Sequence, residues 1–331
     1  MELFWIIFIF FLGLAILIKG ADVFVDGSAG IARRLKISDF FIGITLVAIG
    51  TSLPELIVSL FAGFSNSGEL VIGNIVGSNI ANIALVLGIS GIIKSIKIQP
   101  ASLIKREIPF IILSGIVLFI LGFDQIFQNH HVTFNRLSMG DGLILLAFFV
   151  IFLVYIFGNF KSSQVMEAEI EEKEKTYSKE TILQLTTKIA GGLLAVIGGG
   201  KLVVDNAISL AGLLGISQSA IGLTIVAMGT SLPEAVTTIM AIRKNKTEIA
   251  IGNIIGSNTM NIFFILGIIA TLTPLELSPT MMMDITTMIA ISILLFIIGY
   301  VRKEIDRFSG IILFSSYIIY LLFISLREIQ M

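Results

Sequence analysis

The chain has 331 residues, of which 56% are hydrophobic and 14% charged, with a net charge of −1. A soluble domain devotes about 25% of its residues to charge, so a chain with mean hydropathy +1.00 has too little polar surface to face water all round and is expected to dissolve in a lipid bilayer. The near-neutral balance offers no footing for nucleic acid, and the absence of cysteine excludes disulfides, thiolate metal sites and thiol redox chemistry.

A helix needs about 20 residues to cross the hydrocarbon core. Apolar stretches of that order run near 3–27, 38–62, 70–93, 107–123 and 141–160, and again near 181–211, 217–242, 249–272, 283–301 and 309–326. The pattern predicts an all-α polytopic membrane protein with ten transmembrane helices. The first stretch carries Glu2 in place of a basic cluster and runs on into Lys19, Asp22 and Asp26, so it reads as a span and not as a signal peptide. His130 and His131 fall together in a polar segment and read as a solvated loop pair. Lys161–Lys179, with Glu167, Glu169, Glu171, Glu172 and Glu174, is too short for a domain and reads as a partly helical linker. The expected organisation is a five-helix half over 1–160, an acidic linker over 161–180 and a second five-helix half over 181–331.

Orientation follows from the basic residues, which favour cytoplasmic loops. Nearly all of the 22 lysines and arginines follow odd-numbered spans, among them Arg33, Arg34, Lys105, Arg106, Lys244 and Arg302, whereas the opposite side holds Arg136 and Arg327. Both termini are therefore expected outside and the acidic linker in the cytoplasm.

Two segments match without a gap at an offset of 179 residues. Gly50-Thr-Ser-Leu-Pro-Glu55 recurs as Gly229-Thr-Ser-Leu-Pro-Glu234, and Gly73-Asn-Ile-Val-Gly-Ser-Asn79 as Gly252-Asn-Ile-Ile-Gly-Ser-Asn258. Asn82 falls on Asn261, Gly88 on Gly267, Ile37-Ser38 on Ile216-Ser217 and Asp26 on Asp205. Five spans separate the copies. Five is odd, so the second copy enters the membrane from the opposite side, giving two inverted five-helix repeats. Inverted repeats of interrupted helices are a transporter architecture, with the cargo held near the midplane.

The matched stretches are the most polar ones. Pro54 and Pro233 lack an N–H and crowd the carbonyl four residues earlier, so each helix is expected to kink and leave carbonyls near Gly50, Thr51, Gly229 and Thr230 unpaired. Such groups in lipid are costly unless they line a cavity or hold a cation. Thr51 and Glu55, and likewise Thr230 and Glu234, stand four apart and would share a helix face. A glutamate inside a span marks a functional site by default, so Glu55 and Glu234 are expected to ligate cations. Asn74, Ser78 and Asn82, with their copies Asn253, Ser257 and Asn261, form stripes at spacing four. They serve either as an interhelical hydrogen-bond ladder between close-packed helices or as oxygen donors to ions, and the two readings are compatible. Two carboxylates and many neutral oxygens suit calcium, which takes 6–8 hard oxygen ligands, in competition with several sodium ions. Counter-transport follows if an empty carboxylate pair cannot cross unneutralised, since a buried uncompensated charge costs several kcal/mol. Asp26 and Asp205 lie toward opposite faces and read as solvated helix-end residues, with electrostatic attraction of cations as the alternative.

These motifs resemble the α-repeats of the calcium/cation antiporter superfamily, its sodium/calcium exchangers above all, over the whole ten-span chain. The resemblance implies secondary antiport by alternating access, with spans two, three, seven and eight holding the ions while spans one and six slide against them. It places calcium on Glu55 and Glu234, joined by Thr51 and Thr230. It places sodium on the same carboxylates, the carbonyls of Ala48 and Ala227, and Thr51, Ser52, Ser78, Thr230, Ser231 and Ser257, with Asn82 central. Many relatives carry aspartate where Asn261 stands, so this site has one carboxylate fewer than theirs, which disfavours potassium co-transport. Proton-coupled members carry an acidic residue followed by histidine where Ser78-Asn79 and Ser257-Asn258 stand here. The expected cargo is calcium and sodium, with no cofactor and no protein partner evident. A proton- or potassium-coupled carrier of the same fold and a cation channel are the alternatives. No nucleophile–base pair sits among the intramembrane polar residues, which speaks against an enzyme.

Overall fold

A computed structural model describes residues 2–65, 67–98, 103–123, 135–171, 180–213 and 227–330. Helices dominate: α1 (Glu2–Leu35), α2 (Asp39–Thr51), α3 (Leu53–Phe64), α4 (Gly68–Ile93), α5 (Ile108–Gly122), α6 (Met139–Glu171), α7 (Ile182–Leu213), α8 (Ala227–Thr230), α9 (Leu232–Arg243), α10 (Thr247–Leu272), α11 (Pro279–Arg302) and α12 (Arg307–Gln330). Four short strands stand between helices: β1 (Ile96–Lys97), β2 (Asn135–Leu137), β3 (Leu275–Leu277) and β4 (Glu304–Ile305). Among the described residues, seven helices are long and apolar enough to cross a membrane, or eight if α2 and α3, bent by 43° at their junction, count as one broken span. By that measure the expected ten are not reached. The fourth stretch forms a helix of only 15 residues, α5, behind a π turn at Leu103–Glu107, and the seventh is described only from Ala227. His130, His131 and residues 172–179 of the linker lie outside the described residues, while α6 carries its backbone on to Glu171.

The chain forms two compact units, and each draws on both halves of the sequence: residues 1–54 with 151–257, and residues 55–150 with 258–331. In the first, α1 and α7 run antiparallel along a glycine seam. A Cβ added at Gly13 would meet the Gly199 carbonyl at 3.1 Å, one at Gly20 the Val196 nitrogen at 2.8 Å, and one at Gly192 the Phe24 nitrogen at 2.6 Å. Gly192 and Gly199 are the copies of Gly13 and Gly20 at the same 179-residue offset, so the repeat extends further toward the N-terminus than side-chain similarity reveals. The halves differ in charge along this seam. Lys244 Nζ, in the turn after α9, lies 2.8 Å from Asp22 Oδ1 and 2.7 Å from Asp26 Oδ1, and reaches the Asp22 carbonyl at 3.0 Å. Partial burial works to lower the Lys244 pKa, but the hydrogen bonds it donates to Asp22 and Asp26, with their negative charge, outweigh it and hold the ammonium above its ordinary value. In the second half, Lys201 stands where Asp22 does and pairs with Asp205 at 2.9 Å, one helical turn away.

The second unit is closed by cross-repeat pairing. Strand β1 pairs antiparallel with β4 (Ile96 opposite Ile305), and β2 with β3 (Arg136 opposite Glu276). Helix α12 lies on α4 where Gly310 meets the Gly88 carbonyl (a Cβ would sit at 2.7 Å), and α6 lies on α10 where Gly142 meets the Gly267 carbonyl at 2.8 Å. Phe148 stacks on Phe263 with centroids 5.4 Å apart, and Phe149 on Phe264 at 4.8 Å. These glycine contacts and strand pairs link residues of the first half of the sequence to residues of the second.

Candidate functional site

The polar motifs sit at two helix breaks. Helix α2 ends at Thr51 and α3 begins at Leu53, with Ser52 between them at φ −85°, ψ 4°. Ser231 separates α8 from α9 at φ −86°, ψ 1°. Both serines occupy the sparsely populated bridge region, where many functional residues sit. Each helix is interrupted within the turn ahead of its proline, where the kink is expected. Pro54 and Pro233 stand in the first turn of the new helix, where a missing N–H has no ladder partner to lose. The interruption falls two residues before each proline, and the Ala48 carbonyl accepts the Ser52 N–H at 3.1 Å. The continuous helix on which Thr51 with Glu55, and Thr230 with Glu234, are expected to share a face is broken between them. Each threonine closes one helix and each glutamate opens the next, where the positive end of the helix dipole favours a carboxylate.

In the first unit, α2 packs on the N-terminal half of α10 at glycine distance. A Cβ at Gly252 would meet the Phe40 carbonyl at 2.7 Å and one at Gly256 the Ile44 carbonyl at 2.5 Å. That approach brings hydroxyls into register with α10. Thr51 Oγ1 donates to Asn253 Oδ1 at 3.0 Å, and Asn253 Nδ2 donates to Thr238 Oγ1 at 3.0 Å. Ser52 Oγ lies 2.9 Å from Glu234 Oε1 and 3.0 Å from Ser257 Oγ. A carboxylate only accepts, so the Ser52 hydroxyl is the donor to Glu234. All of these side chains are buried, Glu234 and Ser257 completely. The second carboxylate oxygen, Glu234 Oε2, is buried with no hydrogen-bond donor among the described residues. Thr230 and Ser231 are buried at the equivalent break, and Ala227 is the first residue of α8.

In the second unit, Glu55 opens α3 fully buried, and Asn74 Nδ2 on α4 donates to Ser59 Oγ on α3 at 3.0 Å, the counterpart of the Asn253–Thr238 bond. Ser78 is buried one turn further on. Beyond it, α4 widens into a π turn over Ala81–Leu87, and α10 does so over Asn261–Leu266. Such turns recur at functional sites. Asn82 and Asn261 stand at these turns, both fully buried. Asn82 Nδ2 donates to Asn258 Oδ1 at 2.9 Å and Asn261 Nδ2 to Asn79 Oδ1 at 3.0 Å. Their own oxygens, Asn82 Oδ1 and Asn261 Oδ1, are buried and accept nothing among the described residues. A buried acceptor left unsatisfied costs about 1–3 kcal/mol, and a bound cation offsets that cost.

Comparison with known proteins bears on what such oxygens serve. The family model for sodium/calcium exchanger proteins matches residues 5–158 and 185–326. The chain belongs to the sodium/calcium exchanger family. It is 34% identical to the sodium/calcium exchanger MaX1 of Methanosarcina acetivorans, over 95% of this chain and 96% of that protein. It is likewise 34% identical to the inner membrane protein YrbG of Escherichia coli, over 93% of each. It superposes with TM-score 0.80 on a solved structure of the sodium-calcium exchanger NCX_Mj soaked with sodium and strontium, at 32% identity, covering 97% of this chain and 98% of that one. This chain is thus an integral membrane antiporter of the cation/calcium exchange kind.

In this exchanger, two positions escaped the spacing argument. Asn79 and Asn258 lie one residue past Ser78 and Ser257, off the spacing-four stripe by about 100° of helix, so periodicity sets them apart from the ligand face. The structure makes them the partners of Asn82 and Asn261. Ser59 and Thr238, which lie outside both matched motifs, hold Asn74 and Asn253. Asp26 and Asp205, each about half exposed, also pair with Lys244 and Lys201.

Proposed function

We propose that the protein exchanges sodium for calcium by alternating access, with Glu55 and Glu234 neutralising the divalent ion and the hydroxyl, amide and carbonyl oxygens around them serving sodium. The observation that carries this reading is Glu234: a fully buried carboxylate at the opening of a half-helix, oriented by Ser52 on one oxygen and open on the other. Thr51, Ser52, Ser257, Ala48, Thr230, Ser231 and Ala227 surround the breaks in α2–α3 and α8–α9, and Ser78, Asn82 and Asn261 belong with Glu55. Their donor set is all oxygen, which suits hard cations.

The architecture that goes with this reading has ten spans in two inverted five-helix repeats, 1–160 and 181–331, joined by the linker at 161–180. Residues 103–122 supply the fourth span, and the helix broken at Ser231 supplies the seventh. The basic residues put both termini outside and the linker in the cytoplasm. Neither Ser78-Asn79 nor Ser257-Asn258 contains the acid–histidine pair of proton-coupled relatives, and Asn261 gives the site no third carboxylate, so sodium is the coupling ion. The test is calcium uptake into proteoliposomes loaded with sodium. Uptake driven by an outward sodium gradient at equal pH is expected; uptake that needs a pH gradient and ignores sodium would overturn the coupling.

A further inference from the structure

We infer that Asn79 and Asn258 are positioning residues that fix the amide orientation of Asn82 and Asn261, so that each of the latter turns its oxygen, and never its NH2, toward the transported cations. This rests on the reading that Asn82 and Asn261 give their oxygens to those ions.

The orientation is set by elementary donor and acceptor chemistry. Asn79 Nδ2 lies 3.1 Å from the Asn258 backbone carbonyl, and Asn258 Nδ2 lies 3.2 Å from the Asn79 backbone carbonyl. A backbone carbonyl can only accept, so the group each amide presents to that carbonyl must be its NH2. The oxygens of Asn79 and Asn258 are thereby assigned to the other side of each amide, and what meets them must donate. Asn82 and Asn261 supply that donor through Nδ2, at 2.9 and 3.0 Å. A carboxamide has one oxygen and one NH2, so committing the NH2 commits the oxygen to the other side. The two oxygens so aimed are buried and have no protein donor among the described residues.

Two main-chain carbonyls thus fix the orientation of two side-chain oxygens. Flipping Asn82 would set its oxygen against the Asn258 oxygen and present an NH2 to a cation, which is repulsive at both ends. The four side chains are fully buried, so water is not at hand to accept the flipped arrangement. The two halves carry the same device in exchanged roles, since each positioning asparagine belongs to the opposite repeat from the one it orients.

The test is a double-mutant cycle on the full-length carrier in detergent, with sodium and calcium binding measured by calorimetry. Asn82→Ala, Asn258→Ala and the double variant are compared. Loss of an orienting partner behind a metal ligand weakens affinity by about 10–100-fold. Each single variant is expected to lose at least about tenfold in affinity for sodium or calcium, and the double variant no more than the weaker single one, because Asn258 acts through Asn82. A purely structural Asn258 would instead multiply with Asn82→Ala, which overturns the inference. Wild-type affinity in Asn258→Ala with a loss in Asn82→Ala overturns it too, while leaving Asn82 a ligand. Wild-type affinity in Asn82→Ala removes the ligand reading itself and the inference with it. Should Asn258→Ala fail to fold, Asn79→Ala with Asn261→Ala poses the same cycle in the other half.

Discussion

At the scale of single residues, what distinguishes this chain is unpaired oxygen. Asn82 and Asn261 keep one buried acceptor each, and Glu234 keeps Oε2, whereas most buried polar atoms in folded proteins find a partner. Ser52 is the residue that aims Glu234. Replacing it with alanine removes a hydrogen bond to a charged group, for which the usual contribution is about 1.5–3 kcal/mol. Ser52→Ala is therefore expected to weaken sodium binding by at least about tenfold, read by calorimetry, while the protein remains folded; unchanged binding would show that Glu234 is held by other means. The glutamates and the asparagine stripe were legible in the sequence because polar residues inside apolar spans stand out. Asn79 and Asn258 were not. They sit off the stripe, and only contact between helices distant in sequence gives them a task.

At the scale of elements, glycine decides how close α2 comes to α10. Gly252 and Gly256 present bare backbone to Phe40, Ile44 and Ala48, and the hydroxyl contacts of Thr51 and Ser52 with Asn253 and Ser257 depend on that approach. Over-packing such a contact costs about 1–3 kcal/mol. Gly256→Val is expected to lower the melting temperature and to weaken ion binding together, whereas Gly158→Val, where an added Cβ meets nothing within 4 Å, is expected to change neither. Equal behaviour of the two variants would deny the packing role. Helix existence was readable from apolar run length, and Pro54 and Pro233 marked the turns in which the helices break. The bridge-region serine two residues before each proline is visible only in the backbone. The short strands escaped notice because two- or three-residue pairings carry no periodic signal.

At the scale of the whole molecule, the family, the all-helical membrane architecture and the antiporter class stand on the matching family model, the relatives and the solved exchanger. The offset of 179 residues already announced the repeat, and the glycines of α1 and α7 extend it where side chains do not. The central claim is that both glutamates, one from each copy of the motif, are needed to carry calcium. Two carboxylate charges match one divalent cation, so removing either charge leaves the ion under-compensated in a low-dielectric environment. The direct measurement is sodium-driven calcium uptake by proteoliposomes bearing Glu55→Gln or Glu234→Gln, each at wild-type protein content. The account predicts uptake at the level of protein-free vesicles for both variants; uptake comparable to the wild type in either one would contradict it.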